Sequence, residues 1–114
     1  MIHTKTHDPN ITVIRPGAER LTAVNAKVFK DEVTDLINGG ATQLVVDFKD
    51  VSFMDSSGLG ALVGVLKKIG HRGELSISGL SSDVKQMFRI CRMDLVFTVY
   101  NDVDSALQSM AENQ

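Results

Sequence analysis

The feature that most constrains the fold is a short apolar run followed by a long amphipathic pattern. Residues 44–48 are almost continuously apolar, as expected for a strand covered on both faces. The spacing of the next apolar residues predicts a helix over about 57–69. Those residues are Leu59, Leu62, Val63, Leu66 and Ile69. A buried strand leading into a helix indicates an α/β domain.

The same alternation continues on both sides of this unit. Residues 2–7 and 11–14 flank a turn signal and predict an N-terminal antiparallel hairpin. The apolar run belongs to a strand predicted over 43–48, and two more strands are predicted over 74–79 and 95–100. Three more helices are predicted over about 23–38, from 81–83 to about 91, and after 101–104. We therefore predict a single α/β domain with about four helices on a mixed sheet of four or five strands, with the 43–48 strand central.

Composition and charge exclude several classes of function. The 114 residues are 43% apolar and 23% charged, with a formal net charge of -2, so no basic surface predicts nucleic-acid binding. The longest apolar segment, 59–66, is too short to span a membrane, and residues 1–5 lack the apolar core of a signal peptide. We expect a cytoplasmic protein that binds neither nucleic acid nor membrane.

The single cysteine, Cys91, cannot form an internal disulfide, in agreement with a reducing compartment. It stands at helical spacing from Val84, Met87 and Phe88. This spacing predicts that Cys91 is a small core residue.

Glycines at the strand-to-helix junction raise the question of nucleotide binding. Gly58, Gly60 and Gly64 form a G-x-G-x-x-x-G pattern, but several residues separate it from the strand, and no acidic residue closes the next strand. We predict instead that Gly60 and Gly64 let the helix approach a neighbour closely. A small enzyme or nucleotide binder built on Gly58, Gly60 and Asp55 stays the alternative from a different class.

Catalytic and metal sites find little support. Ser56 and Ser57 lack the G-x-S-x-G surroundings of a nucleophile. The candidate bases are His3, His7 and His71, and none stands at the spacing of a triad or a metal site. Asp47, Asp50 and Asp55 are predicted to form a solvated rim. We therefore predict no catalytic residue, no metal and no cofactor.

The pair Ser56 and Ser57 stands where the helix opens, so a serine there is either a cap or a place for a phosphate. Residues 51–60, VSFMDSSGLG, are followed by Leu62, Gly64 and the GEL sequence at 73–75. On these residues the chain resembles the anti-sigma factor antagonists, small bacterial proteins of the STAS domain class. The resemblance covers nearly the whole chain and implies one STAS domain over residues 1–114.

The resemblance implies a phosphorylation switch. In such proteins the serine after the aspartate, here Ser56, is phosphorylated by an anti-sigma factor that is also a serine kinase. The unphosphorylated form binds this partner and frees a sigma factor, phosphorylation ends binding, and a serine phosphatase resets the switch. The implied partner-binding residues are Asp55, Ser56, Ser57, Gly58, Leu59 and Gly60. Ser57 is then expected to be the buried cap or turn residue.

One departure from the family pattern precedes the first helix. Many relatives carry Leu-Asp where this chain has Leu21 and Thr22. The alternative within the family is a STAS interaction subunit of a signalling scaffold or transport complex that is never phosphorylated.

Overall fold

The computed structural model describes residues 1–112 and contains seven strands and four α-helices. In chain order they are β1 (His3–His7), β2 (Ile11–Arg15), β3 (Arg20–Leu21), α1 (Ala26–Asn38), β4 (Gln43–Asp47), β5 (Phe53–Met54), α2 (Ser56–Ile69), β6 (Glu74–Ser78), α3 (Ser82–Ile90), β7 (Thr98–Tyr100) and α4 (Val103–Glu112). The main sheet has the order β1-β2-β4-β6-β7. Its β1–β2 hairpin is antiparallel and its other pairs are parallel.

The central strand β4 is buried on both faces. Leu44 and Val46 join a large cluster with the apolar faces of α1, α2 and α3. Val45 points the other way and packs with Ala106 and Met110 of α4 in a second cluster. This double burial explains the continuous apolar run in the sequence. The predicted mixed sheet, its central strand, the N-terminal hairpin and the four helices are confirmed.

Two short strands were not predicted. β3 and β5 pair in parallel as a separate two-stranded ribbon, with Arg20 opposite Phe53 and Leu21 opposite Met54. The ribbon brings the chain before α1 beside the chain before α2. As a result, residues just before α1, such as Leu21 and Ala23, lie beside the start of α2.

The last strand is shorter than predicted. Residues 95–100 were expected to be extended, but a 3-10 turn covers Met93–Leu95 and β7 begins at Thr98. Phe97 is buried before the strand, with its ring centroid 5.9 Å from that of Phe88. Its backbone N–H donates to the Met93 carbonyl at 2.9 Å, a turn contact rather than a ladder contact.

The prediction that Cys91 lies in the core is wrong. α3 ends at Ile90, so Cys91 is the C-cap residue and is exposed. Arg92 then takes a positive φ of 62° and turns the chain away from the helix. The apolar spacing continued past the point where the helix stopped.

The helices are shorter than a membrane-spanning helix. α2 has 14 residues, whereas a membrane span needs about 20 apolar residues. Among residues 1–112, no helix has the length and apolar character needed to cross a bilayer.

Candidate functional site

Asp55 caps α2. Its backbone is extended, and its Oδ1 accepts hydrogen bonds from the N–H groups of Ser57 at 2.9 Å and Gly58 at 3.1 Å. These are donors that a helix leaves free at its N-terminus. The expectation that Ser57 is the buried cap or turn residue is therefore wrong, because Asp55 caps the helix and Ser57 is an exposed residue of α2.

The second carboxylate oxygen of Asp55 reaches the chain before α1. Oδ2 accepts from the backbone N–H of Ala23 at 3.2 Å, and the Asp55 N–H donates to the Leu21 carbonyl at 3.2 Å. One side chain thus holds the start of α2 against the turn at residues 22–25. The β3–β5 ribbon makes this contact possible by placing the two segments side by side.

These contacts favour the charged form of Asp55. The hydrogen bond from the Gly58 N–H has the largest effect, and with those from Ala23 and Ser57 it lowers the pKa of the Asp55 carboxyl, although partial burial acts in the opposite direction. Asp55 is therefore a fixed negative charge at neutral pH, directly before Ser56.

The six residues expected to form the partner-binding turn are close together but differ in exposure. Ser56, Ser57 and Gly60 are exposed, whereas Gly58 is buried and Leu59 packs against the core. A Cβ atom on Gly58 would stand 2.5 Å from the Leu21 carbonyl oxygen. This close approach explains why glycine occupies position 58. Ser56, the first residue of α2, is exposed to solvent.

The predicted packing role of the glycines holds for one of the two positions. Gly64 lies against Lys30 of α1, whose Cε would be 2.7 Å from an added Cβ atom. Gly60 faces open space, with no atom within 4 Å of such a Cβ, so its predicted packing role is wrong. Gly60 instead contributes to a shallow surface groove.

This α1–α2 groove is a feature that the sequence reasoning missed. It runs between the two helices beside the Ser57 side chain, and its lining includes Ala23, Lys27, Lys30, Ser57, Gly60 and Ala61. Val24 and Val28 are exposed at the same end of α1. The signal was present, because these two valines are four residues apart and lie off the apolar stripe that predicted the helix.

The acidic residues after β4 do not form a single solvated rim. Asp47 is buried and accepts from the Lys49 N–H at 2.9 Å, so the rim prediction is wrong for this residue. Asp50 is exposed and forms an ion pair with Arg15. Within residues 1–112, no group of three or more His, Cys, Asp or Glu side chains is arranged to hold a metal ion.

The histidines are separated from the serine turn. His3 and His7 lie on the edge strand β1, and His71 follows the far end of α2. The arrangement around Ser56 is therefore a capped, negatively charged turn with an exposed hydroxyl, bordered by the α1–α2 groove.

Comparison with known proteins assigns the fold. A family model described as the STAS domain matches residues 3–106. The chain belongs to the STAS domain family. A STAS relative, the anti-sigma-B factor antagonist of Staphylococcus aureus, is 32% identical over 90 residues, which cover 78% of this chain and 82% of the relative.

Several solved structures share this fold. An anti-sigma factor antagonist from Mycobacterium paratuberculosis has a TM-score of 0.85 at 21% identity, over 96% of this chain and 92% of that one. The anti-sigma factor antagonist SpoIIAA in its unphosphorylated form has a TM-score of 0.74 at 18% identity, over all of both chains. The Bacillus SpoIIAA structure in the phosphorylated form gives 0.72 at 20% identity, over 96% of this chain and 99% of that one.

Proposed function

We propose that this chain is an anti-sigma factor antagonist that works as a phosphorylation-controlled partner switch in the cytoplasm. The unphosphorylated form binds an anti-sigma factor with serine kinase activity and so releases a sigma factor. Phosphorylation of Ser56 ends this binding, and a serine phosphatase restores it. The protein acts by binding, without catalysis or a cofactor of its own, through one STAS domain over residues 1–114.

The observation that carries the proposal is the position of Ser56. It is an exposed hydroxyl in the first position of α2, directly after the charged cap Asp55. Support comes from the names of the relatives and from SpoIIAA, for which both an unphosphorylated and a phosphorylated structure exist.

The local hydrogen bonds explain why a phosphate would act on binding rather than on folding. Asp55 already occupies the Ser57 and Gly58 N–H groups, so a phosphate on Ser56 brings a charge of about -1.5 to -2 beside a carboxylate without those two donors. In the free protein, water solvates this charge on the exposed turn. In a close interface the same charge must be desolvated or repelled.

Incubation with a kinase tests the assignment. We would incubate the purified chain with MgATP and each small histidine-kinase-like ATPase of the source organism, and locate the phosphate by mass spectrometry. We expect phosphate on Ser56 in the wild type and none in the Ser56→Ala variant, which should still bind the kinase. Phosphate on Ser57 alone contradicts the proposal, and tight binding without any phosphate supports the non-phosphorylated interaction subunit instead.

A charge substitution tests whether a negative charge at position 56 weakens kinase binding. Ser56→Asp should weaken kinase binding by about tenfold or more, because the added charge lies in the contact. Ser82→Asp is the matched control, since Ser82 is the exposed first residue of α3 and also follows a capping residue, Ser81. Isothermal titration calorimetry should show wild-type affinity for the control, and equal weakening by both variants would mean that position 56 has no special role.

A further inference from the structure

Two exposed valines stand beside the serine turn. Val24 is 91% exposed and lies in the turn before α1, and Val28 is 50% exposed and lies in the first turn of that helix. Single exposed apolar residues are common on protein surfaces. An exposed apolar pair that borders the proposed partner-binding turn is a candidate contact for that partner.

The valines are held in a fixed position relative to Ser56. Asp55 binds the N–H of Ala23, the residue before Val24, at 3.2 Å. Asn25 secures the other side of the turn, since its Oδ1 accepts from the Thr22 N–H at 3.0 Å and its Nδ2 donates to the Arg20 carbonyl at 2.9 Å. These hydrogen bonds hold the turn that carries Val24 against the phosphorylation turn, and this preorganisation reduces the ordering cost of binding.

The α1–α2 groove gives this surface its charge. Small residues form the floor, and Gly60 leaves open space above it. Lys27 and Lys30 line the groove, with Lys27 paired to Asp31 at 2.7 Å and Lys30 extended over Gly64. The groove is thus basic, on a chain whose formal net charge is -2. Carboxylates of a partner would complement it.

We propose that the partner-binding surface extends from the Ser56 turn across the start of α1, and that its occupant is a protein with an apolar pocket for Val24 and Val28 bordered by carboxylates that face Lys27 and Lys30. This inference rests on the proposed function, because it takes the kinase and anti-sigma factor as that protein. It adds the chemistry by which the partner recognises this chain before any phosphate is transferred.

Calorimetric titration of the unphosphorylated chain with the kinase that modifies Ser56 tests the surface. The Val24→Ser and Val28→Ser double variant should bind at least about tenfold more weakly, as expected when central apolar contacts are lost. The matched control is the Ile90→Ser and Leu95→Ser double variant, because both residues are 72% exposed, Ile90 as the last residue of α3 and Leu95 in the 3-10 turn that follows it. This control should bind within about twofold of the wild type.

Two further measurements keep the result interpretable. Val24→Ser alone removes only a nearly fully exposed side chain, so thermal melting should match the wild type while binding weakens. Lys30→Gln should lower the affinity and make it less dependent on salt.

The outcomes separate the two proposals. Wild-type affinity of the Val24→Ser and Val28→Ser double variant overturns the surface and leaves the phosphorylation switch intact. A wild-type chain that no kinase of the source organism binds overturns the proposed function, and the surface with it.

Discussion

Gly58 is the residue of the site at which the structure tolerates least change. A Cβ atom there would be 2.5 Å from the Leu21 carbonyl oxygen and 2.6 Å from Cγ of Met54. The first contact is with backbone, which cannot move aside without disturbing the β3–β5 ribbon. We expect Gly58→Ala to reduce the free energy of unfolding by about 1 to 3 kcal/mol, measured by urea denaturation.

Gly60 provides the control two residues later. It is also helical but faces open space, so Gly60→Ala should raise the free energy of unfolding by up to about 1 kcal/mol through helix propensity. Equal effects of the two substitutions would mean that the close approach at Gly58 does not limit the packing of α2.

The capping carboxylate predicts a dependence of stability on pH. Hydrogen bonds lower the pKa of Asp55 in the folded protein, so below about pH 4 the unfolded state binds protons that the folded state still excludes. The stabilisation is complete above the unfolded pKa and is lost as the pH falls through the lower, folded pKa.

Asp55→Asn keeps an acceptor oxygen but removes the titration. The difference in melting temperature between the wild type and Asp55→Asn should therefore shrink as the pH is lowered from 6 to 3, as measured by circular dichroism. A difference that is constant or grows over this range would contradict a lowered pKa for Asp55.

At the scale of elements, the sequence predicts what has a repeating pattern. β4 and α2 are long enough for apolar spacing to identify them, and their placement is confirmed. β3 and β5 have two residues each, too few to show any period, and they form only because tertiary contacts bring them together. At Cys91 the pattern misleads in the other direction, because the apolar spacing extends beyond Ile90, where α3 ends, and so predicts a core position for an exposed residue.

The site was predictable in part for the same reason. The string at 55–60 marked the turn, but the cap could not be assigned because Asp55, Ser56 and Ser57 all have side chains able to accept from a helix N-terminus. Only the backbone conformation selects Asp55. The link from its second oxygen to Ala23 spans 32 residues in sequence, and no local pattern encodes it.

Strand β6 buries two hydroxyls on the face that α4 covers. Ser76 and Ser78 are fully buried, and among residues 1–112 their Oγ atoms have no hydrogen-bond partner. Leaving a hydroxyl unpaired in the interior is unfavourable. We expect Ser76→Ala and Ser78→Ala each to raise the free energy of unfolding by up to about 1 kcal/mol in urea denaturation.

The exposed Ser82 at the start of α3 serves as the reference, and Ser82→Ala should change the free energy of unfolding by less than about 0.5 kcal/mol. A clear loss of stability in either β6 variant would indicate that a bound water satisfies that hydroxyl.

At the scale of the whole molecule, stability should be highest where both layers of helices cover the sheet. Leu44, Val45 and Val46 have no exposed surface, and β4 pairs with β2 on one side and β6 on the other. Four of the five residues of the edge strand β1 are exposed. Backbone amides of β4 should therefore exchange hydrogen only through global unfolding, whereas those of β1 exchange through local opening.

Hydrogen-exchange mass spectrometry over a range of urea concentrations checks this order. The exchange of β4 should follow global stability, and that of β1 should be less sensitive to urea. Faster exchange in β4 than in β1 would mean that the domain opens through its centre.

The exposed C-cap of α3 makes the native chain ready for site-specific labelling. Cys91 is the single thiol, so a maleimide dye would attach at one place without an engineered cysteine. The start of α3 borders Phe53 and Met54, which lead into the serine turn. Because α3 has nine residues, a dye on Cys91 lies about 13 Å along the helix from this start. Fluorescence anisotropy of that dye can follow kinase binding and release in real time while Ser56 itself stays unmodified by the probe.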